Sequence, residues 1–494
     1  MRHISTSGIL AIISNLRTDE LQEIKEMLTW EEADKIHTLY SEVDGKIITY
    51  KNFLPILFKD YCPPHPEILF KPKLSEIEVP GIELYDYQKR VIQLCLVKRF
   101  GGIISGTGSG KTEMIAGFFL YLFKHSSYKN MWIVVNNSLL AGNIHARLLA
   151  RGLPDEEVYL YDSKKNKGIA VEKRLTIVVV NSVHSRLKKG FKLLEKKLSE
   201  SEVVVVDEAH HATTMLYHML SYCNNLKFLL GFSATLFENP KDPQQLFGDA
   251  QAYGLFGQVL KNVSVSELQE AGHIASPYLL FEVIGSKKIL NKSSSIYKKY
   301  DTVYRKFIVD NNYRNKRMAE FAGYMAEKGL QTFISVVRHD QAFHLLGELV
   351  NYSVIAIFGG KQVARVNEGK IVISTEDYEE ISQEFKEGKI QILIATAVAD
   401  EGFDLPSVDC MIMGGGMKTR RGVMQRRGRG ARRKKKGMNN FFLIDFWDQT
   451  HKYLLKHSEQ RLSHYVNDSA NITYEWDEYK ALIEEYCKER QNED

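Results

Sequence analysis

Three clusters in this chain of 494 residues combine residue types suited to handling a nucleoside triphosphate. The first is SGTGSGKT (105–112), set between a strand-like run, GGIISG (101–106), and a helix-like one, EMIAGFFLYLF (113–123). Glycines at 106, 108 and 110 let the backbone wrap. The amides from Gly106 to Lys111, Thr107 and Ser109 among them, can then point at phosphate oxygens, helped by the positive end of the following helix. Lys111 would reach the β- and γ-phosphates, and the Thr112 hydroxyl would ligate Mg²⁺. A strict phosphate loop opens with glycine where this chain has Ser105. A simple Gly/Ser-rich turn is the alternative, but strand, loop and helix all favour the nucleotide site.

The second cluster is VVVVDEAHH (203–211), four valines leading into adjacent carboxylates. At the carboxyl end of a buried strand, Asp207 can hold the Mg²⁺ shell while Glu208 takes a proton from the attacking water. His210 follows closely enough to link the nucleotide site to a neighbouring element, whereas His211 fits a helix surface. The third cluster, QRRGRGARRKKKG (425–437), carries eight positive charges and follows the apolar, glycine-rich VDCMIMGGGMKTRRGVM. Composition alone makes it a polyanion patch.

These clusters need a scaffold. Short apolar runs alternate with helical stretches after residue 81. They are GGIISG, MWIVVN (131–136), LTIVVVN (175–181), EVVVVDE (202–208) and KFLLGFSAT (227–235). A second series is QTFISVV (331–337), SVIAIFG (353–359), IQILIAT (390–396), VDCMIMG (408–414) and NNFFLIDF (439–446). Runs apolar on both faces fit parallel strands, so the expected fold class is α/β with two tandem parallel sheets flanked by helices, joined near residues 280–310. Six of the eleven prolines fall between Pro55 and Pro80 and predict an extended connector. Ahead of it, LRTDELQEIKEMLTWEEADKIHTLY has helical periodicity and predicts a small helical module. The expected domains are a helical accessory module (1–62), a Pro-rich linker (63–80), an ATP-binding domain (81–282), a second domain (283–446) and a helical C-terminal tail (447–494). Asp19, Glu23 and Lys25 superficially resemble a nuclease carboxylate set, but they fall in a helix-patterned stretch where such nucleases use a strand.

Net charge is only +5, so the rest of the chain outside 425–437 is slightly acidic. A polyanion partner must be held by a local groove. Five scattered cysteines (Cys62, Cys95, Cys223, Cys410, Cys487) without a Cys-x-x-Cys pair argue against a zinc site or disulfide frame. The longest apolar run, MIAGFFLYLF (114–123), is too short to span a bilayer. The expectation is a cytoplasmic protein, of a bacterium or a phage-infected cell, with no membrane partner.

In order and rough spacing, SGTGSGKT, DEAH, SAT (233–235) and QRRGRGAR resemble motifs I, II, III and VI of superfamily 2 helicases and translocases, across about residues 81–446. The resemblance implies two RecA-like domains, ATP and Mg²⁺ as cofactors, and coupling through His210, Ser233 and Thr235. YDYQ (85–88) resembles the adenine-sensing segment and implies Gln88 at the base. VVNNSLL (134–140), VVVNSVHS (178–185) and TFISVVRHDQ (332–341) resemble motifs Ia, Ib and IV. They imply Asn136, Asn181, Ser182 and Arg338 on nucleic acid. IATAVADEGFDLPSVD (394–409) resembles motif V, which implies Thr396 near the strand and Gly402 and Asp404 near the nucleotide. Motif VI implies Arg429 and Arg432 as arginine fingers, with Gln425 placing the water or γ-phosphate. LFGQVLKNVSVSELQEAGHIASP (255–277) and NNYRNKRM (311–318) are similar to segments of restriction-motor and UvsW-type DNA translocases. The implied partner is DNA, branched or forked duplex with single-strand tracking. An RNA helicase or the motor subunit of a restriction or defence complex are the alternatives, and the N-terminal module can dock protein partners.

Overall fold

The computed structural model describes all residues except 1, 33–34, 62–67, 107, 162–172, 212–213, 239–241, 243–245, 368, 397–407, 417–438, 468–470 and 493–494. Two compact units divide it: Met1–Ser105 with Gly110–Val263, and Gly106–Ser109 with Ser264–Asp494.

The N-terminal module is mainly β, not helical as its periodicity predicts. Strands β1 (His3–Ser7), β2 (Leu10–Ser14), β5 (Tyr40–Val43) and β6 (Lys46–Tyr50) form an antiparallel sheet in the order β1-β2-β6-β5. β3 (Thr29–Glu32) and β4 (Lys35–Thr38) pair separately. Helical spacing holds only over Thr18–Met27. The overlooked signal is Asp44-Gly45, where φ is 50° and 70°. Positive φ at both central residues is what a type I′ hairpin turn demands. Ala11 and Ile13 face their partners Thr49 and Ile47 on one side of the sheet, and all four are buried. Lys25, on the helix, pairs with Glu42 at 2.7 Å, so the nuclease-like set stays helical.

This module shares one apolar core with the sheet that follows, running from Ile9 and Ile47 to Leu255 and Phe256. Asn52 Nδ2 donates to the carbonyls of Gly254 (2.9 Å) and Leu255 (3.2 Å). A Cβ at Gly254 would meet the Tyr50 ring at 2.7 Å, so glycine permits the close approach. The Pro-rich stretch is also packed where it is described, contrary to a free spacer. Phe70 meets Tyr121, Tyr128 and Phe228 edge-on or tilted, and Ile77 is fully buried. Proline removes backbone donors without preventing its neighbours from burying apolar surface.

The first sheet holds β7 (Phe100–Ser105), β8 (Met131–Val135), β9 (Val158–Tyr161), β10 (Leu175–Val179), β11 (Val203–Asp207), β12 (Phe228–Ser233) and β13 (Val259–Val263). Its order is β13-β7-β12-β11-β8-β10-β9, every pair parallel. Five of these strands are the apolar runs of the sequence. The two edge strands, β9 and β13, are short or half-exposed and lack that signature. Parallel pairing brings all strand carboxyl ends to one edge, where open α/β sheets bind ligands.

The second sheet runs β18-β17-β16-β19-β15-β20-β21-β14-β22. Its members are β14 (Ser276–Gly285), β15 (Thr332–Val336), β16 (Val354–Ile357), β17 (Gln362–Asn367), β18 (Lys370–Thr375), β19 (Ile392–Thr396), β20 (Cys410–Met413), β21 (Asn440–Gln449) and β22 (Asn471–Thr473). Only the β16–β17–β18 edge is antiparallel. β14 pairs with β21 along ten residues, so a strand expected to end the first domain belongs to the second sheet. The expected tail is likewise part of this unit. β21 runs through Gln449, β22 extends the sheet, and the helix Trp476–Asn492 buries Tyr479, Ile483 and Tyr486. Their spacing of four and three makes one apolar face, which the high charge of the segment hides.

Inside this unit lies a buried ion network. Arg314 Nη1 donates to Asp448 Oδ1 (2.6 Å), and Arg461 Nε donates to Asp445 Oδ2 (2.9 Å), all four side chains being at most 1% exposed. Tyr465 also donates to Asp445, at 2.7 Å. Arg314 reaches on to the carbonyl of Gly414 (3.3 Å), and Tyr304 donates to that of Gly415 (2.8 Å). The network thereby fixes the strand end from which the chain enters residues 417–438.

Candidate nucleotide site

At the end of β7 the chain makes the glycine loop before the helix Lys111–His125. Ser109 N donates to the carbonyl of Gly106 (3.1 Å), closing a tight turn. Gly108 and Gly110 adopt φ of 87° and 80°, a region that disfavours side chains. At Gly110 space is also short, since a Cβ would lie 2.4 Å from Gln88 Nε2. Gln88 itself is buried, and its Oε1 accepts from Tyr85 N at 3.0 Å. The predicted base-sensing glutamine is therefore held against the last glycine of the loop. Thr112 sits in the first helical turn, half-buried.

Lys111 Nζ donates to the Ser105 carbonyl (3.3 Å) and lies 3.9 Å from Glu208 Oε1. Asp207 ends β11 and is 5% exposed. Burial, then the charge of Glu208, push its carboxyl up to about 7, against the opposing pull of Lys111 and of a hydrogen bond from Glu208 N. The Lys111 ammonium thus faces two carboxylates. The arrangement leaves room for a further positive charge.

Glu208 has φ of +51°, a strained conformation for a residue with a side chain. The turn aims its carboxylate at His210, whose Nδ1 is 3.2 Å from Glu208 Oε2 and 2.8 Å from Ser233 Oγ. Ser233 Oγ in turn accepts from Thr235 N at 3.1 Å. The imidazole is fully buried, and behind it Gly231 admits Ala209, whose Cβ would be 2.8 Å from a Cβ on that glycine. His210, Ser233 and Thr235 thus form one chain of polar contacts ending on Glu208.

Asp207 and Thr112 offer hard oxygen donors, the kind Mg²⁺ accepts, with waters and phosphates completing its shell. Among the described residues, no group of three or more His, Cys, Asp or Glu side chains is arranged to hold a metal ion.

Comparison with known proteins agrees with this geometry. A family model described as the type III restriction enzyme res subunit matches residues 81–238, and the helicase conserved C-terminal domain matches residues 314–434. The chain belongs to the superfamily 2 helicases and translocases. As a member it is an ATP-dependent NTPase acting on nucleic acid. It is 24% identical over 382 residues to the DNA 3'-5' translocase XPB2 of Sulfurisphaera tokodaii, spanning 72% of this chain and 80% of that one. The DUF1998 helicase MrfA bound to DNA and AMPPNP matches 83% of this chain and 55% of its own, at 15% identity and a TM-score of 0.57. A fragment of a putative HsdR subunit of a type I restriction enzyme from Vibrio vulnificus matches 81% and 69%, at 15% identity and a TM-score of 0.53. These two structural likenesses are ones of fold.

Other helicase motif residues are placed as follows. Asn136 follows β8, and its Oδ1 accepts from Asn137 Nδ2 at 3.4 Å; Asn137 caps the next helix through Leu140 N (2.8 Å). Asn181 and Ser182 lie in the first turn of the helix Val180–Lys188, Asn181 exposed. In the second unit, Arg338 precedes a helix and pairs with Asp301 at 2.8 Å, and Thr396 ends β19 almost fully buried. Thr107, Gly402, Asp404, Gln425, Arg429 and Arg432 lie outside the described residues. No helix among the described residues is long and apolar enough to cross a membrane.

Arg314, within NNYRNKRM, is a structural residue that no motif marks. The signal was available in principle: an arginine amid the apolar positions of a helix needs a buried acid somewhere. Nothing in the sequence names Asp448 as that acid.

Proposed function

We propose that this motor acts on DNA, coupling ATP hydrolysis to translocation along, and remodelling of, branched or forked duplexes. The observation that carries the DNA reading is the alignment with a DNA 3'-5' translocase across most of both chains. The branched substrate rests on the resemblance of 255–277 and 311–318 to UvsW-type and restriction-motor segments. Asn136, Asn181, Ser182, Arg338 and Thr396 would follow the phosphodiester backbone, reading no sequence.

In this reading Lys111 and the loop amides bind the phosphates, and Gln88 meets the base. Glu208 takes the proton of the attacking water, with its carboxylate oriented by His210. Asp207 and Thr112 would hold Mg²⁺, which would supply charge neutralisation on the phosphate oxygens. Arg429 and Arg432, with Gln425 beside them, would stabilise negative charge spreading over the γ-phosphoryl group, an effect of about 10³–10⁵ in rate for such fingers. Gly402 and Asp404 would lie near the nucleotide.

The test is ATPase rate with no nucleic acid, single-stranded DNA, duplex, fork, four-way junction and RNA. DNA should stimulate turnover, with forked and four-way DNA above plain duplex. Stimulation by RNA alone would replace DNA with RNA as the track. Stimulation appearing only after a partner protein is added would make the chain a motor subunit of a larger complex.

A further inference from the structure

The second unit carries a cavity that none of the helicase motifs includes. It measures about 440 Å³ and is lined by Lys298, Tyr300, Tyr453, Lys456, His457 and Gln460. The lining contains two ammonium groups, three rings and an amide, and no acid. Lys298, Tyr300, Lys456 and Gln460 are exposed, so the cavity opens to solvent. The Tyr300 ring is 45% exposed and lies 5.5 Å from the His457 ring and 6.3 Å from that of Tyr453.

Its walls are tied together before any ligand arrives. Ser293 Oγ donates to the Thr450 carbonyl, Lys452 N donates to Ser294 Oγ (3.0 Å), and Tyr453 donates to the Lys298 carbonyl (3.3 Å). His451 Nε2 stands 2.9 Å from the Tyr297 carbonyl. One wall therefore comes from 293–300 and the other from the helix Lys452–Asn467. The approach is basic as well: SKKILNKSSSIYKKY (286–300) has five lysines and no acid. Asp301, next to Tyr300, is turned to Arg338 at 2.8 Å.

We infer that this cavity is a subsite for single-stranded nucleic acid, taking one base against Tyr300 and the adjoining phosphates on Lys298 and Lys456. An exposed aromatic face beside cations is the combination that binds strands without reading sequence. The Asp301–Arg338 pair puts the cavity beside the residue that motif IV would set on the strand. The subsite therefore continues that track onto the C-terminal helix. This inference rests on the nucleic-acid reading above and adds a place on the track.

The experiment measures binding of a fluorescent oligothymidylate to the full-length protein by anisotropy across a salt series. Tyr300→Ala should weaken binding about tenfold, the scale of losing one stacked base, and Tyr300→Phe should restore it. Lys298→Ala with Lys456→Ala should reduce the slope of log affinity against log salt by about 0.7 per lysine. An oligonucleotide carrying 5-iododeoxyuridine should cross-link to Tyr300 or Tyr453. A wild-type protein that binds the strand no better than Tyr300→Ala and the double lysine variant overturns this subsite and leaves the functional reading standing. A wild-type protein that binds no nucleic acid overturns both. Adenosine monophosphate cross-competing at Tyr300 while strand affinity stays untouched in the variants would make the cavity a mononucleotide site, and the strand inference would fall. Melting temperature, followed for each variant, separates loss of the subsite from loss of the fold, since Tyr300, Lys298 and Lys456 are exposed.

Discussion

Each half of the molecule sets two carboxylates close together, Asp445 and Asp448 fully buried, Asp207 buried beside a half-buried Glu208, and the two pairs are partnered differently. Asp445 and Asp448 meet Arg461 and Arg314 at 2.9 and 2.6 Å, with Tyr465 adding another donor. Charges are matched one to one inside the protein. Asp207 and Glu208 lie side by side with Lys111 at 3.9 Å from Glu208, and Asp207 is pushed up to about 7 by burial and its neighbour. The first arrangement is complete and holds structure. The second would, in the function proposed above, be completed by a cation and a phosphate chain. Burial raises the Asp448 carboxyl as it does that of Asp207, so the partners and not the shift tell the pairs apart: an acid set beside a second carboxylate suits a working site, one clamped by guanidiniums a joint.

Glu208→Gln should lower ATP turnover by about 10²–10⁴-fold while ATP still binds, the scale of removing a general base. Turnover at the wild-type rate in that variant would remove Glu208 from the chemistry. Next in size, Arg314→Met should cost about 3–5 kcal/mol in denaturant unfolding, because it strands a buried carboxylate. Adding Asp448→Leu should recover most of that loss; failure to recover would mean that the network does more than balance charge. The third prediction reverses the sign between the two pairs. Asp448→Asn should destabilise, whereas Asp207→Asn should leave the ligand-free protein as stable or more so and abolish stabilisation by Mg²⁺ and ATP.

The pH dependence follows from the same contrast. Because the folded Asp207 carboxyl titrates above its ordinary range, the native state holds more protons than the unfolded chain between that range and about 7. Its contribution to ligand-free stability should therefore fall as pH rises through this window, and be absent in Asp207→Asn. Affinity for Mg²⁺ with ATP should rise across the same window, since the ion takes the carboxylate form. The smallest effect is expected at the exposed Arg338–Asp301 pair, where Arg338→Ala should change stability by less than about 1 kcal/mol. A larger loss there would mean that the pair organises the unit and does not merely decorate it.

Much of the first unit was legible. Five parallel strands announced themselves as apolar runs because both faces of that sheet are covered, and the glycine loop and DEAH sit where strand ends must bring them. The short edge strands β9 and β13 bury too little to leave such a pattern. The N-terminal module misled because one helix with strong periodicity outweighed Asp44-Gly45, a two-residue signal that fixes two strands. The C-terminal helix Trp476–Asn492 looked like a charged tail because its three buried positions are separated by acids and lysines.

What the sequence determined alone is the chemistry of the nucleotide site. The phosphate contacts proposed for Lys111 and the loop, and the Asp207–Glu208 pair, depend on residues local in the chain and on strand ends that parallel pairing must align. Tertiary structure decided what lies between distant segments. Arg314 finds Asp448 across 134 residues, and Tyr300 finds His457 only because the chain returns beside it. Local pattern can state which groups need partners. Only the packed fold can say which partner each one has, because the contact is set by the path of the backbone between them.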